Sequence, residues 1–508
     1  MVRPNILLIS ADQQRADCFG FEGRRVRTPH LDRLARAGTR FSACITPCVV
    51  CQPARASMLT GQLPLTHGVH DNGIDLPPET GARGFAGALA SAGYDTAFFG
   101  KAHFSTYNTF APTGTPECVP SSASYPDDWS GPYMGFRHVE LMLLTGHHQF
   151  IPETPPRGHH FERWFHADGA GADRLAAYRA TGRDTRGAAQ TWHSQLPVAW
   201  HSSTWIGDRV VERIRASPDD QPFLIWASFP DPHHPFDCPE PWSLLHDPAT
   251  VDLPRHRTPD FTGRPWWHEA VLTGEPTGDP RAAAMRKSYS RIPPQGDDQL
   301  REIIANTYGQ ISLIDHQVGR MLNALWQSGR LQDTIIIYTS DHGDWLGDHG
   351  LLLKGPMHYE GVLRVPLIMA GPGVPGGLSV DAPASTLDLA PTLIDLAGAT
   401  ALLPQHGQSL LPLLAGGPGR GYALNEWELL PSRTGIALSL RTVRTADAKL
   451  TVDLRSGAGE MYDLAADPDE TVNLFDDPGH RPLRQRLERL LQRRPDDAGG
   501  LRQQVGSA

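Results

Sequence analysis

The residues of this chain that could do chemistry collect directly after short apolar runs. Residues 6–10 lead into Asp12-Gln13, residues 97–100 into Lys101 and His103, residues 223–229 into His233-His234, and residues 334–340 into Asp341-His342. Asp12, Gln13 and Asp341 offer hard oxygen donors and His342 an imidazole, a set that suits Ca²⁺ or, given the imidazole, Mn²⁺. Lys101 supplies a fixed positive charge, and His103 and His233 are groups that exchange protons near neutral pH. Cys44, Cys48 and Cys51 add a C-x3-C-x2-C spacing. Three thiolates so spaced could hold an iron–sulfur cluster. The surrounding oxygen donors favour a hard cation instead, and Cys44 and Cys48 read as small buried hydrophobes.

The elements that position these residues follow from the runs themselves. Continuous apolar stretches of this length are strands buried on both faces, as in a parallel sheet. In open α/β sheets ligands bind beyond the carboxyl ends of the strands, so four such ends point to one shared site. Helices fit between them. Phe85, Ala88, Leu89 and Ala92 share a face before Gly93, and Ile311, Ile314, Val318, Leu322 and Leu325 form a longer stripe before Gly329. Leu483, Leu487, Leu490 and Leu491 make a third stripe, read as packing. Residues 105–200 and 230–300 are rich in Gly, Pro, His and aromatics with weak periodicity, and read as long excursions that wall a site. The tryptophans in and just beyond the first excursion, Trp129, Trp164, Trp192, Trp200 and Trp205, are read as core or interface before pocket.

Composition narrows the class. The chain has 508 residues, 46 Lys+Arg against 56 Asp+Glu and a net charge of −10, which argues against a nucleic-acid binder. Hydrophobic residues at 40% allow a large core, and six cysteines are too few for a disulfide scaffold. No run approaches a spanning helix and no signal peptide is visible, so a cytoplasmic location and no membrane partner are expected.

The stretch Cys51-Gln52-Pro53-Ala54-Arg55 followed by Leu59-Thr60-Gly61 resembles the C-x-P-x-R…L-T-G signature of type I sulfatases, in the alkaline phosphatase superfamily. Other segments are similar to that family in register: residues 28–35 with Gly38 and Phe41, Gly100-Lys101-Ala102-His103, Pro232-His233-His234-Pro235-Phe236, Ser340-Asp341-His342-Gly343 with Lys354, and residues 460–474. The resemblance implies an α/β/α sandwich with a mostly parallel central sheet over residues 1–400. It implies a smaller C-terminal α+β subdomain, residues 401–508, with a small antiparallel sheet and a terminal helix. It also implies that Cys51 is oxidised to formylglycine by a formylglycine-generating enzyme, and that the aldehyde hydrate attacks a small sulfated substrate.

On this reading Asp12, Gln13, Asp341, His342 and position 51 hold one divalent cation, Ca²⁺ first and Mn²⁺ second. Arg55 holds the hydrate, Lys101 and Lys354 neutralise the sulfate oxygens, His103 acts as base and His233 as acid, with adjacent His234 its competitor for that role. Asn72 resembles a substrate contact of choline sulfatases and phosphonate monoester hydrolases, and is equally a turn residue in Asp71-Asn72-Gly73. Phosphonate monoester or phosphodiester hydrolysis is the rival activity; Lys101 and His103 favour the sulfatase, because the phosphonate hydrolases resemble a Tyr/Thr-lined pocket there. A non-catalytic binder with unconverted Cys51 is the alternative from another class. The sulfate ester itself and a homo-oligomeric state are left open.

Overall fold

The computed structural model describes residues 3–142, 151 and 160–507. Its central sheet contains β1 (Asn5–Ala11), β2 (Thr39–Phe41), β3 (Asp95–Lys101), β4 (His138–Met142), β5 (Phe223–Ser228), β6 (Thr334–Ser340), β7 (Leu367–Ala370) and β8 (Leu378–Val380). The spatial order is β8-β2-β7-β6-β1-β5-β3-β4. β1 lies parallel between β6 and β5, and β3 parallel between β5 and β4. Within this sheet only β7 is reversed, pairing antiparallel with β6 and β2.

Register explains why the polar strand ends meet. Ala11 pairs with Ser340, and Ser10 and Gly100 both pair with Ser228. Asp12, Lys101 and Asp341 therefore leave the sheet at the same edge. Gly100 is needed there: its φ is +109°, and a Cβ would stand 2.1 Å from the Ser228 carbonyl oxygen.

Ile6, Leu7, Leu8 and Ile9 are all 0% exposed, so both faces of β1 are covered. Ile6 and Leu8 pack with α2 (Cys51–Thr60), α3 (Phe85–Ser91) and α6 (Leu389–Ala397). Leu7 and Ile9 pack on the other face with α1 (Pro29–Ala37), α4 (Ser202–Ala216) and α5 (Asp297–Gln327). Each such side chain contributes roughly 1.5–3 kcal/mol of transfer free energy. The layers are those of an α/β/α sandwich.

The four-stranded antiparallel sheet β9 (Ala423–Leu429), β10 (Leu438–Arg444), β11 (Ala448–Asp453) and β12 (Gly459–Asp463) follows, with α7 (Arg481–Leu491) against it. Only Leu487 of the terminal leucine stripe is fully buried, beside Val443, Leu450 and Met461. Trp427 and Leu429 of β9 share a core with Val49 and Val50, the residues just before Cys51. The last segment returns to the sandwich: the Val505 N–H donates to the Gly73 carbonyl at 2.7 Å and that of Ser507 to Asn108 at 3.0 Å.

Residues 105–200 hold more regular structure than their composition suggests. β4 completes one edge of the central sheet, and helices His160–His166 and Gly171–Arg179 cover part of the face beyond it. Trp205 is a core residue, while Trp164 and Trp200 meet with ring centroids 4.7 Å apart and planes tilted by 34°, partly buried against the same core. No helix among the described residues is long and apolar enough to cross a membrane.

Candidate active site

Helix α2 begins at Cys51, and all ten of its residues are buried. Val50 is extended and has no polar side chain to cap the helix. Asn72 does this from a distance: its Oδ1 accepts the Gln52 N–H at 3.1 Å, while Gln52 Oε1 accepts the Gly73 N–H at 2.7 Å. The cysteine thus sits at the positive end of a helix dipole.

Around Cys51 Sγ, His342 Nε2 and Lys354 Nζ both lie at 3.1 Å and Asp12 Oδ1 at 3.7 Å. Burial alone would raise the thiol. Lys354, Lys101 and His342 outweigh it and hold the group well below the ordinary thiol range. Cys44 and Cys48 are pushed up by burial and belong to two different apolar clusters. The metal-ligating groups of the described residues gather on Cys51 alone of the three cysteines, which removes the iron–sulfur reading.

Asp12, Cys51, Asp341 and His342 each present one ligand atom within 4.8 Å of the others. The Nδ1–H of His342 donates to the Gly343 carbonyl at 2.9 Å, which leaves Nε2 as the donor atom facing the group. Gln13 Oε1 accepts from Lys354 Nζ at 2.9 Å and so borders the same space. Asp341 is raised by burial and by Asp12 beside it. Cations are already drawn to the set: Lys101 Nζ lies 2.5 Å from Asp12 Oδ2. Three oxygen-bearing side chains and an imidazole fit a divalent cation with a mostly oxygen shell.

Arg55 lies beneath this group and is 1% exposed. Its Nε donates to Asp341 Oδ2 at 2.8 Å and Nη2 to Asp12 Oδ2 at 3.2 Å, while Nη1 serves the Lys101 carbonyl and Ser228 Oγ. The fork expected to hold the nucleophile is thus spent on the two carboxylates, which it locks together. Pairing with them raises Arg55 against the effect of burial.

Two non-glycine residues just past strand ends have positive φ, Gln13 at 68° and His103 at 51°. Such backbone persists only where neighbours hold it. The Gln13 N–H donates to Asp341 Oδ1 at 3.1 Å and its Nε2 to Asp344 Oδ2 at 2.6 Å. The N–H groups of Phe104 and Ser105 both donate to Glu117 Oε1, at 3.1 and 3.0 Å. Asp344 also accepts from the Leu353 N–H at 2.9 Å, folding residues 344–353 back so that Lys354 reaches the site.

His233 and His234 stack with ring centroids 4.0 Å apart. The Nδ1–H of His233 donates to the His234 carbonyl at 2.5 Å, so its Nε2 accepts from Lys354 Nζ at 2.8 Å. His234 turns Nδ1 toward Gln13 Nε2 at 3.4 Å. Burial, then Lys354 and Lys101, lower His233 to about 4, and burial lowers His103 to about 4. Both rings are neutral at pH 7. The His103 ring faces Cys51, and its nitrogens make no hydrogen bond to any other described residue.

Cys51, Asn72, Lys101, His103, His233, His234 and Lys354 all border one cavity of about 440 Å³. Its outer wall includes Val271, Arg286, Tyr289, Trp345, Trp427 and Arg433. None of Trp129, Trp164, Trp192, Trp200 and Trp205 lines it; Trp345 and Trp427 do. The sequence reading misses Arg286, Arg433, Glu117 and Asp344. Asp344 had a visible signal, being a further carboxylate after Asp341-His342-Gly343. The others come from segments without periodicity or from far along the chain.

Comparison with known proteins gives the geometry a family. The chain is 27% identical to an arylsulfatase of Clostridium perfringens, covering 96% of this chain and 94% of that protein. It is 28% identical to a choline-sulfatase of Rhizobium meliloti, covering 94% and 83%. Phosphonate monoester hydrolase from Silicibacter pomeroyi shares the fold, with a TM-score of 0.76 at 24% identity over 96% of this chain and 94% of that one. Residues 347–497 match a family described as N-sulphoglucosamine sulphohydrolase, C-terminal. Residues 4–399 match the Sulfatase family, and the chain accordingly belongs to the sulfatases of the alkaline phosphatase superfamily, as a sulfuric ester hydrolase.

Proposed function

We propose that the protein hydrolyses a sulfate monoester to an alcohol and inorganic sulfate at Cys51, after a formylglycine-generating enzyme has converted that residue. Conversion supplies an aldehyde hydrate, in which one hydroxyl is the nucleophile and the other the means of release. Asp12, Gln13, Asp341, His342 and position 51 hold the divalent cation, Ca²⁺ by its donor set; when bound it polarises the sulfate oxygens. Arg55 keeps the two carboxylates in place. Lys101 and Lys354 face the charge that builds on the sulfate.

His103, neutral and facing position 51, is the group available to take the hydrate's proton. His233 stands over Lys354, and its Nε2 is the atom through which a proton reaches the leaving oxygen. Its lowered basicity means that the incoming anion must first raise it. Asn72 caps α2 with Oδ1 and borders the cavity, so it serves the helix first and the substrate second. The catalytic part comprises residues 1–400 and residues 401–508 form the C-terminal part, whose β9 backs the segment before Cys51.

The observation that carries this reading is Cys51 Sγ at the start of a buried helix, facing Lys354, His342 and Asp12 at the end of a cavity. The test is parallel turnover of 4-nitrophenyl sulfate and an aryl phosphonate monoester by converted enzyme, with and without Ca²⁺. The expected result is a higher kcat/KM for the sulfate, lost in EDTA and restored by Ca²⁺. A higher kcat/KM for the phosphonate would transfer the assignment to the rival activity.

A further inference from the structure

The outer wall of the cavity holds a charge that the chain itself leaves unanswered. Among the described residues six arginines are buried: Arg15, Arg55, Arg174, Arg286, Arg433 and Arg444. Five of them pair with a carboxylate, namely Asp17, Asp12, Asp168, Asp71 and Glu360 for Arg15, Arg55, Arg174, Arg433 and Arg444 in turn. Arg286 does not. It is 6% exposed and borders the same cavity as Cys51, and among the described residues it forms no ion pair. The one hydrogen bond its side chain makes to them is from Nη2 to the carbonyl of Ser507, in the returning C-terminal segment.

A buried guanidinium without a counter-charge is costly. Burial, then neighbouring Arg433, lowers Arg286 to about 9, far from the ordinary guanidinium range. One carboxylate, Asp71, stands near both arginines: its Oδ1 accepts from Arg433 at 2.9 Å, and it acts on Arg286 only through space, so two guanidiniums face a single counter-charge. The rest of the lining combines apolar side chains, Val271, Met285, Ile292 and Trp427, with two further cations, Lys287, which pairs with Glu275, and Arg291, which donates to the Gly274 carbonyl at 2.5 Å. A planar fork of donors in such surroundings matches an oxyanion held in two-pronged fashion.

We infer that Arg286 binds a second anionic group of the substrate, so that the ester hydrolysed here carries a carboxylate or a further sulfate besides the sulfate presented to Cys51. This specificity rests on the sulfatase reading above. The two anions are joined by a compact body, since the whole cavity holds about 440 Å³. Arg286 then selects among sulfate esters, and the groups around Cys51 perform the same chemistry on each.

The test is calorimetric titration of the full-length Cys51→Ala protein, with Ca²⁺ present, by sulfonates that cannot be hydrolysed. One series is alkanesulfonates of increasing length; the others carry a terminal carboxylate or a second sulfonate. At one length a dianion should bind about tenfold or more tightly than the matching monoanion, the scale of one charge-assisted pair. Arg286→Met should erase that difference and leave the monoanion's Kd unchanged, and Arg286→Lys, the safer variant for folding, should retain part of it. The comparison of carboxylate with sulfonate arms identifies which second anion is preferred. Equal binding of monoanions and dianions at every length, or equal weakening of both by Arg286→Met, would overturn the inference. A dianion advantage in a protein that turns over no sulfate ester would instead sink the sulfatase reading and leave the subsite standing.

Discussion

The end of the cavity at Cys51 and its outer wall are built on opposite terms. At the Cys51 end, Asp12, Arg55, Lys101 and Asp341 emerge from paired parallel strands and one buried helix, and they pair with one another. The wall is assembled from the helix Pro280–Tyr289, the residues that follow it and the edge of the C-terminal sheet, and its Arg286, tied to the returning tail at Ser507, forms no ion pair among the described residues. Mutual pairing fixes geometry and suits a reaction common to many esters. An unpaired charge in the wall suits discrimination between esters. The two regions should therefore fail differently when altered.

The largest effect belongs to the nucleophile. Cys51→Ala should lower turnover of every ester by roughly 10⁴-fold or more with the melting temperature nearly unchanged, as read by steady-state kinetics beside thermal unfolding. Arg55→Met separates positioning from chemistry. It leaves Asp12 and Asp341 buried without their common partner, so it should destabilise the fold by roughly 3–5 kcal/mol, and Ca²⁺ should restore part of the loss of melting temperature. Equal stability of this variant and the wild type would break the view that the carboxylates depend on Arg55.

Metal removal comes next. Chelation should abolish activity and lower the melting temperature, with Ca²⁺ reversing both, whereas Arg286→Met should leave this metal response intact.

The smallest effect lies in the segment that follows His103. Glu117 Oε1 holds the N–H groups after His103 and the Tyr133 hydroxyl, and burial raises its carboxyl from 4.5 to about 7. A carboxyl raised in the fold contributes stability that is full below about pH 4.5 and is lost as pH rises through about 7. Glu117→Gln should remove this component, so that between pH 5 and 8 the variant's melting temperature falls by about a degree or two less than that of wild type. An unchanged pH profile would contradict a protonated Glu117.

The difference between the regions also explains what can be read from sequence. The Cys51 end is legible because buried parallel strands are written as continuous apolar runs, and the residue after each run is placed by register. Asp12 and Asp341 are brought to one site by that pattern alone. The role of Arg55 is only half legible: its spacing from Cys51 points to the site, but its contacts with both carboxylates depend on two strands brought together from opposite ends of the sandwich's sequence. The wall is not legible because nothing local marks it. β4 is a short edge strand in a region of weak pattern, and Arg286 gains its meaning from Ser507 and Arg433, which fold back from the C-terminal part. Tryptophan content misleads in the same way, because Trp345 and Trp427 reach the cavity while the tryptophan-rich excursion supplies core.

On the proposed mechanism Cys51 works only once it has ceased to be a cysteine. Its most direct test is the mass of the peptide containing residue 51, taken from enzyme that is fully active on a sulfate ester. The expected mass is that of an aldehyde, or its hydrate, in place of the thiol. An unmodified thiol in fully active enzyme would contradict it.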